Sequence, residues 1–135
     1  MDDRELIGIA LGARERTYSV YSGVAVGCAL LTKNGNVYIG ANIENASYGA
    51  TICAERVAFS SAIVNGERQF VKIAITGGLW GKSPTEPFYP CGICRQFMSE
   101  FCDKDFEIII AGGDGYEKYT LGELFPHDFG GDKLR

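Results

Sequence analysis

The first apolar positions of the chain recur at the spacing of an amphipathic helix. Asp2 can cap the start of this helix, and Glu5 follows the cap by three residues, as in a capping box. The predicted buried face comprises Leu6, Ile9, Ala10 and Ala13. We therefore expect an N-terminal helix that packs one apolar face against the rest of the fold.

Two strand-like segments follow, joined by a turn. Residues 24–32 are small and apolar, and residues 36–43 form a second segment of strand type. Between them lies the pair Asn34-Gly35, which suits a two-residue hairpin turn because both residues tolerate positive φ. The pattern predicts an antiparallel hairpin.

The rest of the chain alternates between helical and strand patterns. A helix is expected from about residue 52 to 63, and Gly66 can adopt the left-handed conformation that ends it. The other predicted elements are strands at 70–76, 106–111 and 117–120, a helix at 91–101 and a helical turn at 121–125. This order predicts an α/β sandwich around a mixed sheet.

Composition narrows the function classes. The 135 residues, 46% apolar and 22% charged, fit a single globular domain over residues 1–135 and exclude a disordered chain. A net charge of −4 and a pI near 5.0 argue against a surface built for nucleic acid or anionic lipid. The longest apolar run is only strand-sized, and the first residues are acidic where a secretory signal would be basic. We expect a cytoplasmic protein without a membrane partner.

The composition includes five cysteines, and their number is informative about function. An odd number of cysteines, in a chain without a secretory signal, argues against a framework of disulfide bonds. It favours a metal-binding or catalytic role for some of these cysteines. Cys28 lies within a predicted strand and Cys102 ends a predicted helix, so both are most simply core or surface thiols.

The other three cysteines occur in two short segments that each open a predicted helix. These segments are Cys53-Ala54-Glu55-Arg56 and Pro90-Cys91-Gly92-Ile93-Cys94. A helix N-terminus stabilises thiolates through its unpaired N–H groups and the positive end of its dipole. Three converging thiolates would bind zinc and leave one position open, as in catalytic zinc sites. The single histidine, His127, would be a ligand only by coincidence of the fold.

Two other interpretations of these cysteines remain. The Cys-x-x-Cys pair could be a redox couple, and Cys53 could be a buried helix residue. Glu55 disfavours both, since a carboxylate on the same first turn can serve as a proton shuttle without being a metal ligand. A Cys or His two residues before Glu, followed later by Pro-Cys-x-x-Cys, is the pattern of zinc-dependent base deaminases.

With these motifs in place, the sequence resembles the small cytidine deaminase family over nearly its whole length. The resemblance includes Tyr21-Ser22 and residues 42–48 and 124–127. It implies a three-layer α/β/α sandwich with a five-stranded mixed sheet, one zinc per chain and a homotetramer. It also implies hydrolytic deamination of cytidine and deoxycytidine in pyrimidine salvage.

The resemblance assigns roles by position. It implies that Cys53, Cys91 and Cys94 bind zinc, that Glu55 shuttles protons, and that Arg56 is a partner of the thiolates. The implied substrate contacts are Asn42 and Glu44 at the ribose, Val24, Ala54 and Tyr48 around the nucleoside, and Phe125 in a neighbouring subunit's site. Tyr48 could equally be an interface residue. The negative charge of Glu44 would disfavour a 5′-phosphate and favour a free nucleoside.

One segment departs from the family pattern. Val24 stands where members commonly carry an aromatic residue that packs on the base, and Ala25 stands where proline is usual. The second interpretation is therefore a deaminase of a modified cytosine nucleoside, such as blasticidin S. A third, from another class, is a non-catalytic zinc-binding domain, which Glu55 and the open metal position argue against.

Overall fold

A five-stranded sheet forms the middle layer of the computed structural model, which describes residues 1–134. The strands are β1 (Val24–Thr32), β2 (Val37–Ala41), β3 (Phe70–Leu79), β4 (Glu107–Gly112) and β5 (Gly115–Thr120). Their order across the sheet is β2-β1-β3-β4-β5. The neighbours β3 and β4 are parallel and the other pairs are antiparallel, so the sheet is mixed.

Helices cover both faces of this sheet. They are α1 (Asp3–Ala13), α2 (Ala54–Val64), α3 (Gly92–Phe101) and the single turn α4 (Leu121–Leu124). Leu6 and Ala10 of α1 pack on one face, against Ala29, Ala74 and Ile109. The residues of α2 and α3 pack on the other, where the core includes Ala58, Phe59, Met98, Ile73, Ile75, Ile108 and Ile110. Alternate residues of β3 and β4 thus point to opposite layers, and the predicted three-layer α/β/α fold is confirmed.

The hairpin between β1 and β2 differs from its prediction. Four residues, Lys33, Asn34, Gly35 and Asn36, connect the strands, and the N–H of Thr32 donates to the carbonyl of Asn36. Gly35 has a φ of +87°, whereas none of the non-glycine residues among 1–134 has a positive φ. A two-residue type I′ turn needs positive φ at both Asn34 and Gly35, so the chain instead forms the longer loop with glycine at its left-handed position.

Other boundaries shift by a few residues. β2 ends at Ala41, although Ile43 still forms single bridges to Tyr18 and Ile52. β3 continues through its two glycines to Leu79, because Gly77 and Gly78 pair with Val26 and Ala25 of β1. Helix α2 begins at Ala54 rather than near residue 52, with Cys53 as its N-cap. The predicted helix end at Gly66 is confirmed by its φ of +94°.

Helix α2 lies unusually close to the sheet at Gly40 of β2. A Cβ at this position would lie 2.1 Å from the carbonyl oxygen of Ala54 and 2.8 Å from the amide nitrogen of Ala58. Both atoms are backbone, so only glycine allows this approach. The contact fixes the height of the α2 N-terminus above the sheet.

The longest helices have 11 residues, and no helix in the described part of the chain is long and apolar enough to cross a bilayer.

Candidate active site

Three cysteines from the two predicted segments meet between the N-termini of α2 and α3. The Sγ of Cys91 lies 3.7 Å from the Sγ of Cys53 and 3.7 Å from the Sγ of Cys94. All three sulfurs lie within 4.8 Å of one another, and they form the only such metal-ligand group among residues 1–134. His127 does not belong to this group.

Helix geometry explains why the sulfurs converge. Cys53 and Cys91 are the N-caps of α2 and α3, and Cys94 lies in the first turn of α3. Both N-cap residues have extended backbones, and neither side chain caps its own helix. Their sulfurs are therefore free to point at a common centre, close to the positive ends of two helix dipoles.

The sulfur positions fit a zinc ion. Zinc–thiolate bonds of about 2.3 Å in a tetrahedron place the sulfurs about 3.8 Å apart, close to the two observed separations of 3.7 Å. Three thiol donors, with no fourth protein ligand beside them in the described part of the chain, leave one tetrahedral position for a non-protein oxygen or nitrogen. The chemistry of the donor set and its spacing both match catalytic zinc.

Arg56 lies beside this cluster. Its Nη2 donates to the carbonyl of Thr51 at 3.4 Å and approaches the Sγ of Cys53 to 3.8 Å. A hydrogen bond from Cys94, together with Arg56, lowers the pKa of Cys53 to about 5. The pKa of Cys94 is raised, because its proton is shared with Cys53 and its side chain is buried. The cluster thus favours a thiolate at Cys53, which metal binding requires.

Glu55 is the buried acid of the site. It lies in the first turn of α2 and only 4% of its surface is exposed. Burial raises the pKa of its carboxyl to about 7, and the nearby Cys53 thiolate acts in the same direction. A carboxyl group with a pKa near neutrality can both accept and donate a proton, which is what a proton shuttle must do.

A cavity of about 190 Å³ opens next to the cysteines and Glu55. Its polar lining includes Cys53, Cys91, Glu55, Asn42 and Thr51, and its apolar lining is Val26, Ala54, Ile75, Phe88 and Tyr89. The predicted site residues Ala54 and Asn42 therefore lie at the same cavity as the acid and two of the sulfurs.

A second cavity, of about 340 Å³, shares Thr51 with the first. Its other lining residues are Tyr21, Ser22, Glu44, Asn45 and Tyr48. Glu44 accepts hydrogen bonds from the N–H groups of Tyr21 (2.9 Å) and Ser22 (3.0 Å) and from the Ser22 hydroxyl. These bonds lower the pKa of Glu44, the Ser22 hydroxyl making the largest contribution. The carboxylate is thus held in its charged form at the edge of this cavity.

Asn42 has a structural task as well as a place in the site. Its Oδ1 accepts from the N–H of Val26 at 2.9 Å and from Thr17 Oγ1 at 2.6 Å, and its Nδ2 donates to the carbonyl of Val24 at 2.8 Å. The side chain therefore ties β1 to the segment after β2. One N–H of the amide has no partner in these contacts and remains for a ligand.

Two predicted contacts lie outside these cavities. Val26, and not Val24, lines the first cavity, while Val24 stands two residues earlier on the same face of β1. Phe125 follows α4 and packs at the edge of the main core, away from the lining of its own chain's cavities. The structure therefore does not bring Val24 and Phe125 to the cysteines of the same subunit.

Phe88, Tyr89 and Thr51 line the first cavity but were not predicted from the sequence. Phe88 and Tyr89 come directly before the Pro-Cys-x-x-Cys segment, and Thr51 lies two residues before Cys53. The sequence indicated these three residues only by their proximity to the cysteines. Residues next to a motif point into its site only when the backbone conformation directs them there.

Comparison with known proteins gives a consistent result. Residues 1–110 match the family model of the cytidine and deoxycytidylate deaminase zinc-binding region. A cytidine deaminase of Halalkalibacterium halodurans is 45% identical over 130 residues, which cover 96% of this chain and 95% of the relative. One from Sporosarcina psychrophila is 39% identical over 135 residues, covering 99% of this chain and 96% of the relative.

A solved structure extends the match to three dimensions. The crystal structure of cytidine deaminase from Burkholderia pseudomallei has a TM-score of 0.88 and 39% identity, over 96% of this chain and 100% of that one. Family model, relatives and fold agree with the cysteine cluster and its buried acid. The chain belongs to the zinc-dependent cytidine deaminase family.

Proposed function

We propose that this protein hydrolyses cytidine and deoxycytidine to uridine and deoxyuridine, with release of ammonia. The observation that carries this function is the meeting of three thiols and the buried carboxyl of Glu55 at one cavity. A closed structural zinc site would have a fourth protein ligand, and it would not require a carboxylic acid beside the metal. The family relationship favours ordinary cytidine over the modified nucleosides considered above.

The side chains divide the chemistry among them. Cys53, Cys91 and Cys94 bind one zinc ion, which when bound supplies Lewis-acid activation of water. Glu55 takes the proton of the attacking water, passes it to N3 of the pyrimidine ring and later protonates the departing amino group. Arg56 draws electron density from the Cys53 sulfur and so reduces the excess negative charge of three thiolates.

The two cavities, which share Thr51 in their linings, suit a nucleoside. The base fits the smaller cavity beside Glu55, and the sugar fits the larger one. Glu44 in the lining of the larger cavity and Asn42 in the lining of the smaller one bind ribose hydroxyls. Tyr48 and Tyr21, which also line the larger cavity, form an edge-to-face pair with ring centroids 6.3 Å apart. A 5′-phosphate near the charged Glu44 would be repelled, which favours the free nucleoside over the nucleotide.

Assembly and context complete the proposal. We propose that residues 1–135 form one domain, that four copies form a homotetramer, and that Phe125 completes the site of a neighbouring subunit. Phe125 is half-buried near the end of its chain and does not line its own cavity, which supports a role across an interface. The reaction belongs to pyrimidine salvage in the cytoplasm, whose reducing conditions suit three thiol ligands.

Ammonia release from a panel of substrates tests this function. The panel consists of cytidine, deoxycytidine, deoxycytidylate, adenosine, guanine and blasticidin S, with a Glu55→Gln variant as the control for contaminating activity. We expect release from cytidine and deoxycytidine only. Ammonia release from blasticidin S alone would show that the substrate is a modified nucleoside. No ammonia release by the zinc-loaded protein would show that the domain is not catalytic.

A further inference from the structure

Phe88 has no role in the chemistry described so far, yet it is one of two aromatic residues in the lining of the cavity beside Glu55. The side chains that share this lining with it and lie on the sheet are the aliphatic Val26 and Ile75. Aliphatic groups give a heteroaromatic ring apolar contact only. An aromatic ring adds the electrostatic preference for stacked or edge-to-face geometry.

The backbone opposite Phe88 has space for its ring. Gly77 of β3 pairs with Val26 of β1. A Cβ at Gly77 would lie 2.7 Å from Cδ2 and 2.8 Å from Cγ of Phe88, and 3.1 Å from Cγ2 of Val26. The ring therefore rests directly on the strand backbone beside Val26, in a position that a side chain at residue 77 would exclude.

The residues that follow Phe88 hold it in place. The hydroxyl of Tyr89 donates to Glu117 of β5 at 2.8 Å, and the rings of Tyr89 and Tyr119 pack edge to face at 5.9 Å. Next, Pro90 is buried, and its carbonyl accepts from the Nε of Arg95 at 2.8 Å. The segment is fixed to both β5 and α3, so the ring is positioned before any ligand binds.

We propose that Phe88 is the aromatic wall of the base-binding cavity and sets its affinity for the pyrimidine ring, with Gly77 providing the space for that wall. This inference rests on the proposed function, because it takes the base to bind beside Glu55. An aromatic surface thus reaches this cavity from the segment before Cys91.

The test compares Phe88→Leu and Phe88→Tyr with the wild type. Leucine keeps apolar volume but has no ring, so we expect KM for cytidine and Kd for uridine to rise about two- to twelvefold, with kcat within about twofold. Tyrosine keeps the ring and should restore both values. Phe70→Leu is the matched control, since Phe70 packs on Phe59 in the core and does not line the cavity.

Calorimetric binding of uridine separates this inference from the proposed function. If the wild type binds uridine but releases no ammonia from cytidine, the function fails while the effect of Phe88→Leu on uridine binding still decides the role of Phe88. Unchanged KM and Kd in Phe88→Leu, or an equal change in Phe70→Leu, would overturn the inference. A wild type that binds no uridine would overturn both.

A second variant tests the contact with Gly77. Gly77→Ala should push the Phe88 ring into the cavity and raise KM for cytidine, and the increase should shrink in the Phe88→Ala background, where the clashing atoms are absent. Zinc content and melting temperature, measured in parallel, distinguish this coupling from loss of fold. Additive effects of the two substitutions would contradict the proposed contact.

Discussion

Glu55 is a buried carboxylic acid in the first turn of α2, close to Cys53, Cys94 and Arg56. We expect Glu55→Gln to lower kcat by about 10⁴-fold or more, because one residue serves several proton transfers and each such transfer is typically worth about 10²–10⁴-fold. Glutamine keeps the size of the side chain, so the fold and the metal site should be preserved.

Zinc content is the control for this substitution. Glu55 is not a ligand in the proposed site, so the variant should bind as much zinc as the wild type by metal analysis. A variant that kept a tenth of the wild-type activity would remove Glu55 from the mechanism. A variant that lost its zinc would instead make Glu55 part of the metal site.

At the level of residues, the sequence predicts the reactive groups better than their surroundings. Cys53, Cys91 and Cys94 follow from spacing, because a motif at each of two helix starts fixes where the sulfurs point. Phe88 does not follow, since its orientation depends on the absence of a side chain at Gly77, in a strand some ten residues away in the chain. Packing between segments that are separated in the sequence cannot be predicted from the local pattern of residues.

The position of α2 against β2 is the feature of secondary structure on which the site depends most. Gly40→Ala would introduce a methyl group 2.1 Å from the carbonyl oxygen of Ala54, so the helix must move away from the sheet and take Cys53 and Glu55 with it. We expect a loss of about 1–3 kcal/mol in the free energy of unfolding, together with weaker zinc binding and lower kcat.

Gly12→Ala is the matched control for Gly40→Ala. Gly12 lies in α1, and a Cβ there has nothing within 4 Å. Alanine has the higher helix propensity, so this variant should be neutral or more stable by up to about 1 kcal/mol. Chemical denaturation and zinc titration measure both variants, and equal behaviour of the two would contradict the account of the close approach at Gly40.

Asp3 connects the first turn of α1 to two strands. Its carboxylate accepts from Lys72 at 2.8 Å and Lys118 at 3.1 Å, and the hydrogen bond from Lys72 is the main reason that its pKa is lowered. A lowered folded-state pKa stabilises the fold above the unfolded-state value of about 4, and this contribution disappears as the pH falls through the lowered pKa.

Asp3→Asn should therefore cost about 1–3 kcal/mol in the free energy of unfolding near pH 7, and the difference from wild type should shrink below about pH 4. Asp128→Asn is the control, because its partner Lys104 is 59% exposed and such pairs contribute little. Calorimetric melting at several pH values measures both. A difference that grows toward low pH would contradict the sign of this linkage.

Elements were predicted more fully than their ends. Helix and strand types follow from the period of apolar residues, and within residues 1–134 the four α-helices and five strands lie close to where the pattern places them. The prediction of a two-residue hairpin turn was wrong because the dipeptide Asn34-Gly35 is compatible with two types of turn. The pairing of Leu31 with Val37 decides which of the two forms. Register between strands is a property of the whole sheet, so a dipeptide does not determine it.

For the whole molecule, the proposed role of Phe125 would connect catalysis with assembly. If Phe125 completes a neighbouring subunit's site, Phe125→Ala should raise KM for cytidine in every site that it lines and leave the zinc content unchanged. Sedimentation of the wild type should show four chains. A fully active monomer would contradict both the tetramer and this role of Phe125.

Zinc-dependent ammonia release from cytidine tests the central claim most directly. Zinc is removed with a chelator under reducing conditions, which keep Cys53, Cys91 and Cys94 as thiols, and is then added back in steps while ammonia release from cytidine is measured. We predict no release without metal and a linear rise that ends at about one zinc per chain. Full activity in the metal-free protein, or none at full zinc occupancy, would contradict the account.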